Sequence, residues 1–186
     1  MSSAIGDHSA LEIATPECEK GLGKVILAPD SKDLIPGVRI HPYPLWPDDR
    51  GYFLEVLRVG QGLAAQFPKE STQVSAALSY PGTIKAFHFH HHQTDCWVPV
   101  QGVFQVALVD LRKQSPSFGA RNTLYVGALR SWQLLIPPGV AHGYKVVGTE
   151  PGLLVYVTDR FYNPKDEGRI PYNDPQIQYD WETQHK

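Results

Sequence analysis

The stretch that decides the fold is WVPVQGVFQVALVDL, residues 97–111. Two apolar runs flank the turn at 100–103, where Gly102 can adopt the positive φ that a tight hairpin needs. After the turn, the side chains of a strand alternate between its two faces. Val103, Gln105, Ala107 and Val109 then share one face, and Phe104, Val106 and Leu108 share the other. Because both faces are mostly apolar, we predict a buried strand in the centre of a sheet.

Short β-rich runs between turn signals continue on both sides of this hairpin. The chain has 16 prolines and 16 glycines in 186 residues, which interrupt it too often for long helices. One short helix is predicted within 60–69. Short strands at this spacing are typical of an antiparallel all-β sandwich or barrel. The predicted strands are 37–41, 52–58, 73–79, 83–90, 97–100, 103–111, 123–126, 132–136, 143–147 and 153–158.

The ends of the chain differ from this central pattern. Residues 1–33 lack a hydrophobic period, and we predict an N-terminal extension that is partly mobile or serves as a dimer arm. Residues 34–186 have the length of a single domain, and we predict one domain there. Within that domain, 164–186 is rich in Pro, Asn, Asp and Tyr and is predicted to be ordered but irregular.

Composition excludes several classes of function. The net charge is −2, so the chain has no basic excess for nucleic acid or for an anionic membrane surface. No apolar run has the length of a signal peptide core or of a membrane span. Cys18 and Cys96 lie far apart and form no metal-binding or redox spacing, which favours two reduced thiols in a cytoplasmic protein.

A cluster of histidines occupies the segment IKAFHFHHHQTDCW, residues 84–97, with four histidines in five positions. On a regular strand, His88 and His90 point to the same side as Ile84 and Ala86. Two histidines spaced in this way can reach a common metal ion. His91 and His92 fall where the strand should turn, and we interpret them as solvated hairpin residues.

The spacing around these histidines resembles the paired motifs of the cupin superfamily, whose members are small β-barrels. The first row runs from Gly82 to Gly102, and the second runs from Pro137 to His142. By this resemblance His88, His90, Asp95 and His142 would hold one transition-metal ion in a dioxygenase or isomerase. Asp95 stands where the metal-binding members usually carry a glutamate.

A more specific resemblance covers residues 35–175 in unbroken order. The sequence is similar to the dTDP-4-dehydrorhamnose 3,5-epimerase family, a sugar-nucleotide epimerase branch of the cupins. The resemblance implies a cupin-type antiparallel jelly-roll barrel with few short helices. It also implies a homodimer that works without metal or organic cofactor. The matching rows include DRGYFLE at 49–55, SPSFG at 115–119, IPPGVAHG at 136–143 and YNDP at 172–175.

The resemblance also implies a reaction and a set of residues. The substrate would be a nucleotide-linked 4-keto-6-deoxyhexose, from which a base removes the proton beside the ketone before an acid reprotonates the opposite face. His88 falls on the base of the family and Tyr156 on its acid. An ordinary imidazole can accept a proton at neutral pH, and an ordinary phenol stays protonated there. Arg50 falls on a residue that binds the diphosphate, and the other predicted substrate-binding residues are Phe53, Glu55, Gln73, Lys85, His142 and Tyr162.

Two departures from the family keep alternatives open. The family orients its histidine base with a late aspartate that this chain lacks. Either Asp95 or Asp174 takes that role, or the standard 3,5-epimerisation is replaced by a variant reaction: a single epimerisation, an isomerisation or a reaction on a different keto-sugar. The family also carries a lysine near the position of Asp95 and a glutamine near that of His90. The alternatives are the metal-dependent cupin enzyme, which would use His88 as a ligand and not as a base, and a sugar-binding cupin without activity.

Overall fold

The computed structural model of the chain describes residues 11–182. Strands dominate this part of the chain, and the one helical element in it is a 3-10 turn at Gly62–Ala64, inside the segment 60–69 where one short helix is predicted. The all-β prediction is confirmed. The strands are Lys24–Val25 (β1), Arg39–Pro42 (β2), Leu45–Asp48 (β3), Gly51–Leu54 (β4), Gln73–Ser79 (β5), Ile84–His90 (β6), Asp95–Gln101 (β7), Val103–Asp110 (β8), Arg121–Gly127 (β9), Trp132–Ile136 (β10), Val140–Val147 (β11), Gly152–Thr158 (β12) and Glu167–Arg169 (β13).

Two large sheets enclose the main core. The six-stranded sheet has the order β1-β9-β8-β11-β6-β13, and the five-stranded sheet has the order β2-β10-β7-β12-β5. Apart from the parallel pair of β1 and β9, neighbouring strands in both sheets are antiparallel. A third, two-stranded sheet is the hairpin β3–β4. Buried side chains from both large sheets meet between them, including Phe104, Leu108, Trp97, Leu134 and Leu154.

Strand β8 has the alternation predicted for it. Phe104, Val106 and Leu108 belong to the core between the sheets. Ala107 and Val109 belong to a second apolar cluster on the other face of the six-stranded sheet. The C-terminal segment covers that face with Ile177, Tyr179 and Trp181. This segment, predicted to be irregular throughout, contributes the short strand β13 at its start.

The described part of the predicted N-terminal extension, residues 11–33, lies along the barrel. Strand β1 pairs with β9, and isolated bridges join Ile13 to Arg112 and Gly21 to Tyr179. Residues 1–10 lie outside the described part of the chain. The prediction of a dimer arm therefore stays a prediction.

Within residues 11–182 the structure has no helix of a length and apolarity that would span a membrane.

Candidate active site

A cavity of about 340 Å³ opens between the two large sheets. It brings together most of the side chains that the sequence singled out. His88, His90 and Lys85 enter from β6, Asp95 from β7, His142 from β11 and Tyr156 from β12, and Tyr162 lines it from the loop after β12. The site is thus built from both sheets.

A β-bulge in β6 aims its side chains into this cavity. His142 on β11 pairs with His88, whereas Tyr144 pairs with Lys85, so Ala86 and Phe87 together oppose Gly143. The extra residue shifts the alternation. Lys85 therefore lines the cavity together with His88, while Ile84 and Ala86 pack against the second apolar cluster. The prediction that Ile84 and Ala86 share the face of His88 is wrong for this reason.

Gly143 makes the bulge possible. A Cβ atom at this position would lie 2.3 Å from the Cβ of Ala86 and 2.7 Å from its Cα. Both contacts are far inside van der Waals distance, so no larger residue fits opposite the bulge without moving β6.

Glu167 on β13 is the carboxylate partner of His88. Nδ1 of His88 lies 2.5 Å from Oε1 of Glu167. Because a carboxylate only accepts hydrogen bonds, Nδ1 carries the proton and Nε2 keeps a free lone pair. Strand β13 makes this contact possible by pairing with β6, with Arg169 opposite His88. Neither Asp95 nor Asp174 takes this role: Asp174 instead caps the backbone N–H groups of Gln176 and Ile177.

Two neighbouring residues stabilise the negative charge of Glu167. Nε of Arg169 donates to the same oxygen at 2.9 Å. Burial raises the pKa of the Glu167 carboxyl, but the hydrogen bonds from Arg169 and His88 outweigh burial and keep the pKa below its ordinary value. Glu167 is therefore ionised at neutral pH and can accept the Nδ1–H of His88.

Asp95 faces away from His88, toward two other histidines. Its Oδ2 lies 3.5 Å from Nε2 of His142, and its Oδ1 lies 3.8 Å from Nε2 of His90. All three side chains are buried. Gln93 and Trp97 each donate a hydrogen bond to the Asp95 carboxylate, at 2.7 Å and 3.2 Å.

His142 is a neutral residue at the buried end of the cavity. Its Nδ1 lies 3.0 Å from the carbonyl oxygen of Val140 and donates to it, since a carbonyl oxygen cannot donate. Burial lowers the pKa of His142 to about 4, against the opposing effect of the Asp95 carboxylate. The contact between His142 and Asp95 is consequently not an ion pair at neutral pH.

Tyr156 stands across the cavity from the six-stranded sheet. It lies on β12, opposite Trp97 on β7 and Ser75 on β5. Its ring packs at the margin of the main core, and the residue is half-buried. A substrate ring in the cavity would therefore have the His88 imidazole on one sheet and the Tyr156 phenol on the other.

Four predicted substrate-binding residues lie outside this cavity. Arg50 is exposed at the β3–β4 turn, where its guanidinium binds Asp48, and Phe53 packs against Trp46 with ring centroids 5.7 Å apart. Glu55 pairs with Arg58 at 2.8 Å and lines a second cavity of about 260 Å³. Gln73 touches the site indirectly, because its Oε1 accepts the backbone N–H of Tyr162.

Several cavity residues were not predicted from the sequence, among them Glu167, Arg169, Gln93 and Trp97. The sequence signal for Glu167 and Arg169 is weak: a Glu-Gly-Arg run that alternates over three positions. His91 and His92, which were predicted to be solvated turn residues, are exposed, and this prediction is confirmed.

Comparisons with known proteins give a consistent result. A family model described as dTDP-4-dehydrorhamnose 3,5-epimerase matches residues 32–186. The spore coat polysaccharide biosynthesis protein SpsL of Bacillus subtilis (strain 168) is 42% identical over 155 residues, which cover 82% of this chain and 100% of that protein.

Solved structures with a similar fold include a dTDP sugar isomerase and a dTDP-sugar 3,5-epimerase. The dTDP sugar isomerase of Desulfovibrio desulfuricans G20 has a TM-score of 0.72 at 26% identity, and the match covers 79% of this chain and 92% of that one. The dTDP-6-deoxy-D-glucose-3,5-epimerase of Legionella pneumophila Philadelphia 1, solved with dTDP-4-keto-L-rhamnose, has a TM-score of 0.67 at 26% identity, with 77% and 78% covered. These structures confirm the predicted jelly-roll barrel of the cupin type.

Proposed function

Because the chain belongs to the dTDP-4-dehydrorhamnose 3,5-epimerase family, a family of isomerases, we propose that it inverts a carbon beside the ketone of a nucleotide-linked 4-keto-6-deoxyhexose. The observation that carries this proposal is the His88–Glu167 pair, which faces the same cavity as Tyr156. A polarised imidazole on one side and a phenol on the other are the two groups that such an inversion requires.

The proton transfers follow from this arrangement. The free Nε2 of His88 takes the proton from the carbon beside the ketone, and the C–H electrons form the C=C bond of an enolate as the carbonyl π electrons move to oxygen. The Glu167 carboxylate stabilises the imidazolium that results. Tyr156 then gives its hydroxyl proton to the opposite face of that carbon, and the enolate electrons form the new C–H bond. Solvent returns the proton to Tyr156 and removes the one from His88.

These steps need no cofactor to move protons. Of the predicted substrate-binding residues, Lys85, His142 and Tyr162 line the cavity, and we assign Lys85 to the substrate's diphosphate because its ammonium is the charge that phosphate oxygens accept. Binding of the diphosphate by Arg50 stays a prediction, as do substrate contacts of Phe53, Glu55 and Gln73.

A homodimer is part of the proposal, and the outer face of the five-stranded sheet supports it. The 3-10 turn and Phe67 cover this face at Cys96, Leu135 and Val157. At the edge strand β5, however, Val74 and Leu78 are 64% and 58% exposed. Exposed apolar residues on an edge strand favour pairing with another chain. A cytoplasmic location stays a prediction.

Proton NMR of 4-keto sugar nucleotides in deuterated water tests the proposed function. We expect deuterium to enter at a carbon beside the ketone with the wild-type protein, and no such exchange with His88→Asn. Substrates linked to dTDP, GDP and CDP should be compared, because the residues that line the cavity do not identify the nucleotide of the substrate. Absence of exchange with all three would contradict the proposal. We propose that the product is used in polysaccharide biosynthesis, because the similar Bacillus subtilis protein is a spore coat polysaccharide biosynthesis protein.

A further inference from the structure

We propose that Arg169 binds the diphosphate of the substrate together with Lys85, and that Glu167 connects this contact to the base His88. The inference rests on the proposed function, because it places the diphosphate in the cavity where the inversion occurs. Arg169 lies on β13 and lines this cavity. It adds to the site a cation that the sequence motifs do not include.

The cavity has cations at its opening and a buried carboxylate at its closed end. Lys85 is exposed and the side chain of Arg169 is 72% exposed, whereas Asp95 is buried. Glu167 is placed more deeply, at 9% exposed, and offsets one of the two cations, so the opening keeps a net positive charge. A negatively charged diphosphate is therefore attracted to the opening and repelled from the closed end. The sugar then points inward, toward His88.

Lys85 and Arg169 reach the opening from neighbouring strands. Lys85 precedes His88 by three positions on β6, and the bulge turns both side chains into the cavity. Arg169 lies directly opposite His88 on β13. Side chains at opposed positions of antiparallel strands have Cβ atoms about 5 Å apart. The two cations are thus both neighbours of His88, one along β6 and one across to β13.

The Arg169 guanidinium has unused hydrogen-bond donors. Its Nε donates to Oε1 of Glu167 at 2.9 Å, and within residues 11–182 its two terminal nitrogens make no hydrogen bond. A guanidinium has five N–H donors, so the terminal nitrogens keep theirs for a ligand. Two parallel N–H groups of a planar guanidinium match two phosphate oxygens. The Lys85 ammonium likewise forms no ion pair with any residue in the described part of the chain.

Glu167 connects Arg169 to the base. Its Oε1 accepts hydrogen bonds from Nε of Arg169 at 2.9 Å and from Nδ1 of His88 at 2.5 Å. A diphosphate on the terminal nitrogens of Arg169 would therefore be joined to His88 by a continuous row of hydrogen bonds. This row fixes the position of the diphosphate relative to the base, and so holds the carbon beside the ketone at Nε2 of His88.

Isothermal titration with inorganic pyrophosphate tests the phosphate contact. We expect the wild type to bind pyrophosphate, and Arg169→Gln and Lys85→Gln each to weaken its affinity by roughly 10- to 100-fold, as for the loss of charge-assisted hydrogen bonds. Arg169→Lys should fall between, because lysine keeps the charge but lacks the fork. Lys113→Gln is the matched control, since Lys113 pairs with Glu12 at 3.1 Å outside the cavity.

Deuterium exchange with two substrates separates phosphate binding from support of Glu167. With a nucleotide-linked 4-keto-6-deoxyhexose, Arg169→Gln should lower kcat/KM by roughly 10- to 100-fold, with kcat itself reduced because the sugar is held less firmly at His88. With the methyl glycoside of the same sugar, which has no phosphate, Arg169→Gln should exchange at the wild-type rate. An equal fractional loss with both substrates would show that Arg169 acts only through Glu167, and would overturn the phosphate contact.

The two assays also separate this inference from the proposed function. His88→Asn should still bind pyrophosphate while losing deuterium exchange. Unchanged pyrophosphate affinity in Arg169→Gln or Arg169→Lys protein with the circular dichroism of the wild type overturns the inference alone, as does a wild type that exchanges deuterium and does not bind pyrophosphate. Pyrophosphate binding that depends on Arg169, in a wild type without deuterium exchange, would overturn the proposed function.

Discussion

His88 and Glu167 are joined by a hydrogen bond of 2.5 Å from Nδ1 to Oε1, between strands β6 and β13. This contact sets the tautomer of the imidazole and leaves Nε2 free to face the cavity. Glu167 on β13 thus provides the carboxylate that, by the family resemblance, a late aspartate would provide.

Glu167→Gln keeps the size of the side chain and removes its charge. We expect the rate of deuterium exchange beside the ketone to fall by about 10²- to 10⁴-fold, because the imidazolium loses its counter-charge and the tautomer is no longer fixed. Nitrogen-15 NMR of the histidine ring should show loss of the Nδ1–H form. Glu150→Gln, at an exposed turn position, is the matched control. An exchange rate equal to that of the wild type would contradict the assignment.

Tyr156→Phe should separate proton removal from inversion. Without the hydroxyl, the proton donor that we assign to the opposite face is missing, so inversion should fall by about 10²- to 10⁴-fold. His88 is intact in this variant and should still introduce deuterium with retention of configuration. Proton NMR distinguishes the two products. Tyr80→Phe, an exposed tyrosine outside the cavity, should behave as the wild type. Equal loss of exchange and inversion would show that Tyr156 has a different role.

Gly143→Ala should disturb the bulge and the base together. The new methyl group would lie 2.3 Å from Cβ of Ala86 and 2.9 Å from the carbonyl oxygen of Lys85. We expect the free energy of unfolding to fall by about 1–3 kcal/mol, as for other overpacked sites, and the exchange rate to fall because β6 carries His88. Urea unfolding and NMR measure the two effects.

Gly148→Asn is the control for Gly143→Ala. Gly148 has φ of +85° and open space around its Cβ position. Asparagine tolerates this backbone conformation better than most residues, so stability should change by less than about 1 kcal/mol. A Gly143→Ala variant as stable and active as this control would show that β6 can move without cost.

The bulge and the His88–Glu167 pair also show where sequence reasoning succeeds and fails. The alternation of Phe104, Val106 and Leu108 could be predicted because a strand repeats every two residues, which is a local property. The side of β6 to which Ile84 and Ala86 point could not be predicted, because the bulge depends on the pairing of β6 with β11.

The site residues divide in the same way. His88, Asp95 and His142 could be predicted as site residues because they belong to sequence motifs. The side chain that each one contacts depends on which strands pair and could not be predicted. Asp95 lies on β7 in one sheet and His88 on β6 in the other. Glu167 is 79 positions from His88, on a strand of three residues, which is too short for a recognisable period.

Asp110 gives a prediction of pH dependence. Its carboxylate is fully buried and accepts hydrogen bonds from Arg112, Ser115 and Ser117. Burial raises the pKa of Asp110, but these hydrogen bonds outweigh burial and lower the pKa below 3.8. The unfolded chain therefore binds the proton more readily, so the contribution of Asp110 to stability is complete above about pH 3.8 and is lost as the pH falls through the pKa of the folded state.

Asp110→Asn should lower the free energy of unfolding by about 3 kcal/mol at neutral pH, because it leaves Arg112 without its buried partner. The difference from the wild type should shrink below about pH 3.8. Urea unfolding at several pH values measures both. Asp49→Asn, whose side chain is 95% exposed, should change stability by less than about 0.5 kcal/mol at any of these pH values. A constant difference across the pH range would contradict the linkage.

The exposed outer face of β5 leads to a prediction about assembly. Val74 and Leu78 point away from the cavity on an edge strand, next to a part of the same sheet that the 3-10 turn covers. If they form the dimer contact, Val74→Asp combined with Leu78→Asp should give a folded monomer, because two buried charges without partners oppose association. Sedimentation velocity measures the mass, and circular dichroism confirms the fold. Leu129→Asp, at a turn residue that is 91% exposed, should remain a dimer. A double variant that stays dimeric would place the contact on another face of the barrel, whereas a wild-type monomer would contradict the homodimer itself.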